Sequence, residues 1–139
     1  QLQLDLQARL NNIRSLVTQV EQYEGDRIQT VRQRMVERFN DLKEVVTLDE
    51  SRLEHELVYY IEKFDVTEEK VRLAAHLKYF EETMNSDEAA GRKLGFISQE
   101  MGREINTLGS KANHAEIQKI VVQMKDELEK IKEQVLNVL

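Results

Sequence analysis

Near its C-terminal end the chain places apolar residues at Ile117, Val121, Met124, Leu128, Ile131, Val135 and Val138, stepping by four and three without interruption. A strand would alternate with a period of two. A stripe that averages 3.5 residues is the seam of a long helix, and such a seam has to be covered by a second long helix. The start of the chain supplies a matching stripe in Leu6, Leu10, Ile13, Leu16/Val17 and Val20. The 139 residues contain no proline, the residue that punctuates most loop-rich folds. The expected fold is therefore all-α. Its first and last helices form a long antiparallel, coiled-coil-like pair, and shorter helices pack at one end.

The apolar pattern is interrupted at Glu24-Gly25-Asp26 and resumes at Ile28, Val31, Met35, Phe39, Leu42 and Val45/Val46. This predicts a helix from about Leu4 to Val46, broken or bent near Gly25, where glycine can end a helix in a left-handed turn. Thr47 or Asp49 is a suitable cap for a second helix carrying Leu53, Leu57 and Tyr60/Ile61. Asp65 or Thr67 opens a third, with Val71, Ala74/Ala75, Leu77 and Phe80 on its apolar side. Tyr59, Tyr60 and Tyr79 fall at core spacing. Asn85-Ser86-Asp87 reads as a loop. Asn113-His114-Ala115-Glu116 has the form of a capping box, with Asn113 as the cap; His114 has no evident role.

Composition removes several functions. No cysteine is present, so disulfides and thiolate metal sites are excluded. No run of 18 apolar residues exists to span a membrane. Phosphate-binding glycine loops and nucleophile elbows are missing. The net charge of -6 argues against a chain that is basic throughout, as a nucleic-acid sleeve would be.

Two polar blocks remain. In DVTEEKVRLAAHLKYF, Asp65, Glu68/Glu69, Arg72 and His76 recur at helical spacing, which aligns carboxylates, guanidinium and imidazole along one face. Such a stripe could ligate a metal or supply a general base; its structural alternative is a solvated face with a capping carboxylate. In GRKLGFISQEMGREINTLGSKAN, residues 91–113, four cations oppose two carboxylates within an acidic chain. A local reversal of sign suits a phosphate ligand. Glu100 and Glu104 share a face continued by Thr107 and Lys111. Gly95 and Gly102 lie inside the expected helix, each costing roughly 1 kcal/mol relative to alanine.

With LDLQARLNNIRSLVTQVEQYE, ERFNDL and the closing IKEQVLNV, these blocks resemble the C-terminal half of the YicC/YloC-like bacterial endoribonuclease family, over essentially the whole chain. The resemblance implies a cytoplasmic, oligomeric RNase that cuts RNA internally with the help of a divalent metal, manganese or magnesium. The opening QLQLDLQARL, without a starting Met, is then expected to follow an N-terminal domain of the same protein. The family's polar signature falls on Asp65, Glu68, Glu69, Arg72, His76, Gly91, Arg92, Lys93, Gln99, Glu100, Arg103, Glu104, Asn106, Thr107, Gly109, Ser110 and Lys111. Where the family pattern is GRKLDF and QEMNRE, this chain has Gly95 and Gly102, so two polar side chains of a ligand-facing stripe are expected to be lost and the nuclease weakened.

The expected assignments follow. Metal or water activation falls to Asp65, Glu69, His76, Glu100 and Glu104, with Glu100, Glu104, His76 and Arg103 as the catalytic set. RNA phosphates are expected at Arg72, Arg92, Lys93, Arg103 and Lys111, with Asn106 orienting either partner. The alternative is a non-enzymatic helical module for oligomerisation or interaction.

Overall fold

The computed structural model describes residues 2–43, 50–86, 91–112 and 114–137. Among the described residues five helices follow one another: α1 (Leu2–Lys43), α2 (Glu50–Lys63), α3 (Thr67–Met84), α4 (Gly91–Lys111) and α5 (Ala115–Leu136). The heptad seam of α5 is buried at Ile117, Val121, Met124, Leu128, Ile131 and Val135, and α1 buries Leu6, Leu10, Ile13, Leu16, Val17 and Val20. α1 and α5 pack together, as their spacing requires. Their direction is antiparallel, because Arg9 meets Glu127 while Asp26 meets His114.

α4 covers α5 on a second side and packs against α3, which closes back on α1. Each neighbour runs antiparallel to the next. Arg14 and Gln7 of α1 hold Glu81 of α3, at 2.8 and 2.7 Å, while Lys70 of α3 holds Glu24 of α1 at 2.9 Å. These two hydrogen bonds, Gln7 first and then Arg14, hold the Glu81 carboxyl below its ordinary pKa. The result is a four-helix arrangement around one core, to which α3 contributes Leu73, Leu77 and Phe80 and α4 Leu94, Ile97, Met101, Ile105 and Leu108. α2 packs chiefly on α1, with Phe39 and Leu57 buried outside the main core.

Four local expectations are corrected. α1 runs unbroken through Gly25, which has no positive φ. A helical glycine costs only about 1 kcal/mol, and tertiary anchors flank it: Tyr23 packs on the core, Glu24 pairs with Lys70, and Arg27 is buried. On α3 the buried stripe is Leu73, Leu77 and Phe80, whereas Val71 is 64% exposed; the register hides the larger side chains and leaves Ala74 and Ala75 outside. Tyr59 and Tyr79 are exposed rather than core. The cap of α5 is His114, whose Nδ1 accepts from the backbone N–H groups of Glu116 and Ile117 at 3.2 and 3.4 Å. Asn113, Val45, Val46, Thr47, Asp49, Asp87 and Val138, and the side chains of Leu42 and Leu53, lie outside the described residues.

Leu128 is 3% exposed and meets α4. Leu128→Ala is expected to destabilise by roughly 2–5 kcal/mol, measured by urea unfolding. A loss below about 0.5 kcal/mol, the surface value, would place this seam in solvent.

Candidate functional site

The facing surfaces of α3 and α4 bring five of the expected polar residues together. Glu69 and Glu104 are buried, at 1% and 6% exposure. Lys111 donates to Glu69 Oε1 at 2.9 Å, and Arg72 donates through Nε to Glu104 Oε1 at 2.9 Å and through a terminal nitrogen to Glu68 at 3.2 Å. Arg72 also lies 3.9 Å from Glu69. Carboxylates held in an apolar setting need such partners, since an unpaired charge there is strongly unfavourable. Hydrogen bonds to Glu104 and then Glu68 raise the pKa of Arg72 further, so its charge is permanent. The Arg72 side chain keeps 48% of its surface exposed. All three guanidinium nitrogens face carboxylates, Nε Glu104, one terminal nitrogen Glu68 and the other Glu69, so the group is held in a fixed orientation at the surface.

His76 stands one turn after Arg72 on α3 and is half-buried. It has no hydrogen-bond or ion-pair partner among the described residues. The register that joins Arg72 to Glu104 sets His76 level with Glu100, one turn back on α4. Glu100 itself pairs with Arg103 at 3.5 Å, and Arg103 is mostly exposed. Imidazole, guanidinium and carboxylate thus share one strip of surface along the α3–α4 seam.

Other expected residues lie elsewhere. Asp65 closes the turn into α3, where Oδ1 accepts from Thr67 Oγ1 at 2.7 Å and Thr67 N at 3.1 Å. The Thr67 hydroxyl is the main reason its pKa lies below the ordinary value. Lys93 sits over the Tyr79 ring, 4.9 Å from its centroid. Arg92 is exposed in the first turn of α4. Asn106 is on the α5 side, lining a shallow recess with Gly102, Leu128 and Lys132.

Asp65, Glu69, His76, Glu100 and Glu104 therefore do not assemble as one ligand set. Among the described residues no three His, Asp or Glu side chains gather closely enough to hold a metal ion. Glu69 and Glu104 face cations of their own chain instead. Among the described residues this chain by itself offers no complete ligand set for a metal ion.

The two glycines divide. A Cβ at Gly95 would meet nothing within 4 Å, whereas one at Gly102 would lie 3.2 Å from Leu128 Cδ2. Gly102 thus faces α5 and permits close approach of the helices; it is not part of the strip facing α3. Gly109 is tighter still, 3.0 Å from Val121 Cγ1.

The geometry now has a family to compare with. The model of the C-terminal region of YicC-like endoribonucleases matches residues 20–139. The chain belongs to the YicC-like endoribonuclease family. A protein of Clostridioides difficile named probable endoribonuclease YicC is 36% identical over 135 residues, covering 96% of this chain and 46% of that protein. One of the same name from Haemophilus influenzae is 36% identical over 132 residues, covering 95% of this chain and 45% of its own length. The chain spans about half the length of these YicC relatives. Among the described residues no helix is long and apolar enough to cross a membrane.

Residues that sequence reasoning passed over also stand out. Arg27, Arg34 and Arg38 fall seven and four apart on α1 and line a groove with His114. That spacing places them on one face, a signal hidden by the expected break at Gly25.

Two outcomes test this site. Lys111→Met leaves Glu69 buried with only the distant Arg72, and is expected to destabilise by roughly 3 kcal/mol, the low end for a broken buried pair because Lys111 is partly exposed; chemical denaturation measures it. Gly95→Asp is expected to raise thermal stability slightly, by up to about 0.5 kcal/mol, while Gly102→Asn gains less or loses stability because Leu128 must move. Equal gains at both positions would contradict the assigned faces.

Proposed function

We propose that this chain is the helical part of an endoribonuclease and that the α3–α4 strip acts on internal RNA phosphodiesters. One observation carries the proposal: Arg72 is locked in place by Glu104 and Glu68 with its side chain 48% exposed, one turn from His76, which has no partner among the described residues. Family membership and the names of the two relatives support the same activity.

In this proposal Arg72, with Arg103 and Lys111 nearby on α4, takes the non-bridging phosphate oxygens. Fixed cations stabilise the charge that grows there in the transition state. His76 then removes the proton of the attacking oxygen or returns one to the leaving oxygen, a role suited to an imidazole that no carboxylate already holds. Glu69 and Glu104 position the cations. Arg92 and Lys93 extend the contact along the strand. Metal dependence belongs to the proposal as well: a manganese or magnesium ion would supply Lewis acidity, with ligands completed from outside the described residues of one chain.

The proposed partners are RNA, further copies of the chain, and the remainder of a protein about twice this length, in the cytoplasm. Exposed Val58, Val71, Phe96 and Val122 favour assembly, and they also support the second reading, a helical module without enzymatic activity.

Cleavage of a labelled structured RNA by the full-length protein, with and without chelator, tests the proposal. His76→Gln is expected to slow cleavage by roughly 100-fold or more, and Glu100→Ala, which takes away the carboxylate that holds the phosphate-binding Arg103, to slow it as well, with the oligomer and its melting temperature retained. Chelation is expected to stop the wild type. Loss of assembly in Glu100→Ala with no cleavage by wild type would favour the scaffold. Unchanged cleavage in both variants would overturn the assigned site.

A further inference from the structure

Where α1 leaves the four-helix core, it continues past the start of α5 and forms a groove with α2. The groove holds about 660 Å³ and is lined by Arg27, Arg34, Arg38, Glu56, Tyr60 and His114, among others. Three guanidiniums face it against one carboxylate. In a chain of net charge -6, that concentration of positive charge has no structural explanation in ion pairing: none of the three arginines has a hydrogen-bond or ion-pair partner among the described residues.

Arg27 makes the case specific. It is 4% exposed, yet it lines the groove. Arginine cannot shed its proton in a protein. Most of the residue is covered, so its guanidinium meets solvent only at the groove, and a cation confined there without an ion-pair partner is favoured by an anion that enters. Arg34 and Arg38 are exposed on the same face of α1, seven and eleven residues on, so the three cations form a line rather than a point.

The floor of the groove adds to this. Ala115, the first residue of α5, lines it beside His114. A helix start is positive and favours anions. His114 is held there by three contacts. Its Nδ1 accepts from the backbone of Glu116 and Ile117, its Nε2 donates to Asp26 at 3.4 Å, and its ring lies 5.4 Å from that of Tyr23. These contacts fix the orientation of the ring, with Nδ1 turned to the start of α5 and Nε2 to Asp26. Permanent charge in the groove comes from the arginines and the helix, and a ligand must match a line of guanidiniums.

We propose that this groove binds phosphate groups, and that their source is an RNA strand running along α1, separate from the α3–α4 strip. The inference rests on the RNA-directed function proposed above. Guanidinium forks match phosphate oxygens two at a time, and successive arginines on one helix face can follow successive phosphodiesters. The groove lies at the end of the bundle where α4 closes and α5 begins, the end that also carries Lys111 and Glu69. A strand held here would thus approach the proposed site from one defined end.

The test compares the full chain with an Arg34→Gln/Arg38→Gln double variant. Both positions are exposed, and glutamine is close to arginine in helix propensity, so circular dichroism should not change. Two probes are titrated: a labelled single-stranded RNA oligonucleotide at several salt concentrations, and inorganic pyrophosphate followed through the backbone amide shifts of Arg27 and Ala115. The expected result is RNA affinity reduced roughly tenfold, with a salt slope shallower by roughly 1.4, the value for two lost phosphate contacts on a single strand. Pyrophosphate should move the Arg27 and Ala115 amides in the wild type and not in the variant. A loss seen with RNA alone also supports the proposal, because a strand spans the line of arginines better than a small ion. A loss seen with pyrophosphate alone, in a chain that does not bind RNA, keeps the phosphate groove, assigns it to free polyphosphate and overturns the RNA source together with the RNA-directed function. If neither probe distinguishes the variant from the wild type, the groove is not a phosphate site; RNA cleavage retained in that case leaves the α3–α4 proposal standing.

Discussion

Burial of the α5 stripe is the constraint on which the rest of the architecture depends. One helix carries Ile117, Val121, Met124, Leu128, Ile131 and Val135, and fully covering each such side chain contributes roughly 1.5–3 kcal/mol. A single partner helix covers only one flank of that stripe. α1 takes one side and α4 the other. Because α4 is pinned to α5 through the close approaches at Gly102 and Gly109, its opposite face is presented to α3. The register of the polar strip is thus inherited from an apolar contact on the far side of α4.

That inheritance explains why two glutamates can be buried. Glu69 and Glu104 lie between helices whose spacing is set by leucine, isoleucine and methionine packing, and the same register delivers Lys111 and Arg72 to their oxygens. Buried ion pairs of this kind are poor sources of net stability but strongly penalise misalignment. A slip of one turn between α3 and α4 would take Lys111 from Glu69 and Arg72 from Glu104. The network therefore acts as a register lock, and it holds the Arg72 guanidinium at a fixed place on the surface.

Continuity of α1 through Gly25 has a comparable reach. Had the helix ended there, Arg27, Arg34 and Arg38 would not share a face, and His114 would have lost Asp26 as a partner. The tie between Glu24 and Lys70 and the contact of Tyr23 with the His114 ring hold the segment on both sides of the glycine. The weakness of one residue is small against several tertiary contacts.

Much of this was present in the residue order. Steps of four and three fix the apolar faces of α1 and α5 whatever else the chain does, because helical periodicity is a local property; the all-α class and the pairing of the two helices follow from it, and the GRKL…SKAN block carries the family likeness in the same local way. Distances between helices are not local. Whether α3 buries Leu73 or Val71, whether Gly102 faces a ligand or Leu128, whether Asp65 stays at its turn or joins Glu104, and whether a histidine rather than an asparagine caps α5 depend on which faces meet. A sequence places residues on a helix face by angle, but the burial of Glu69 and the unpaired line of arginines arise only when neighbouring helices close over one and form a groove beside the other.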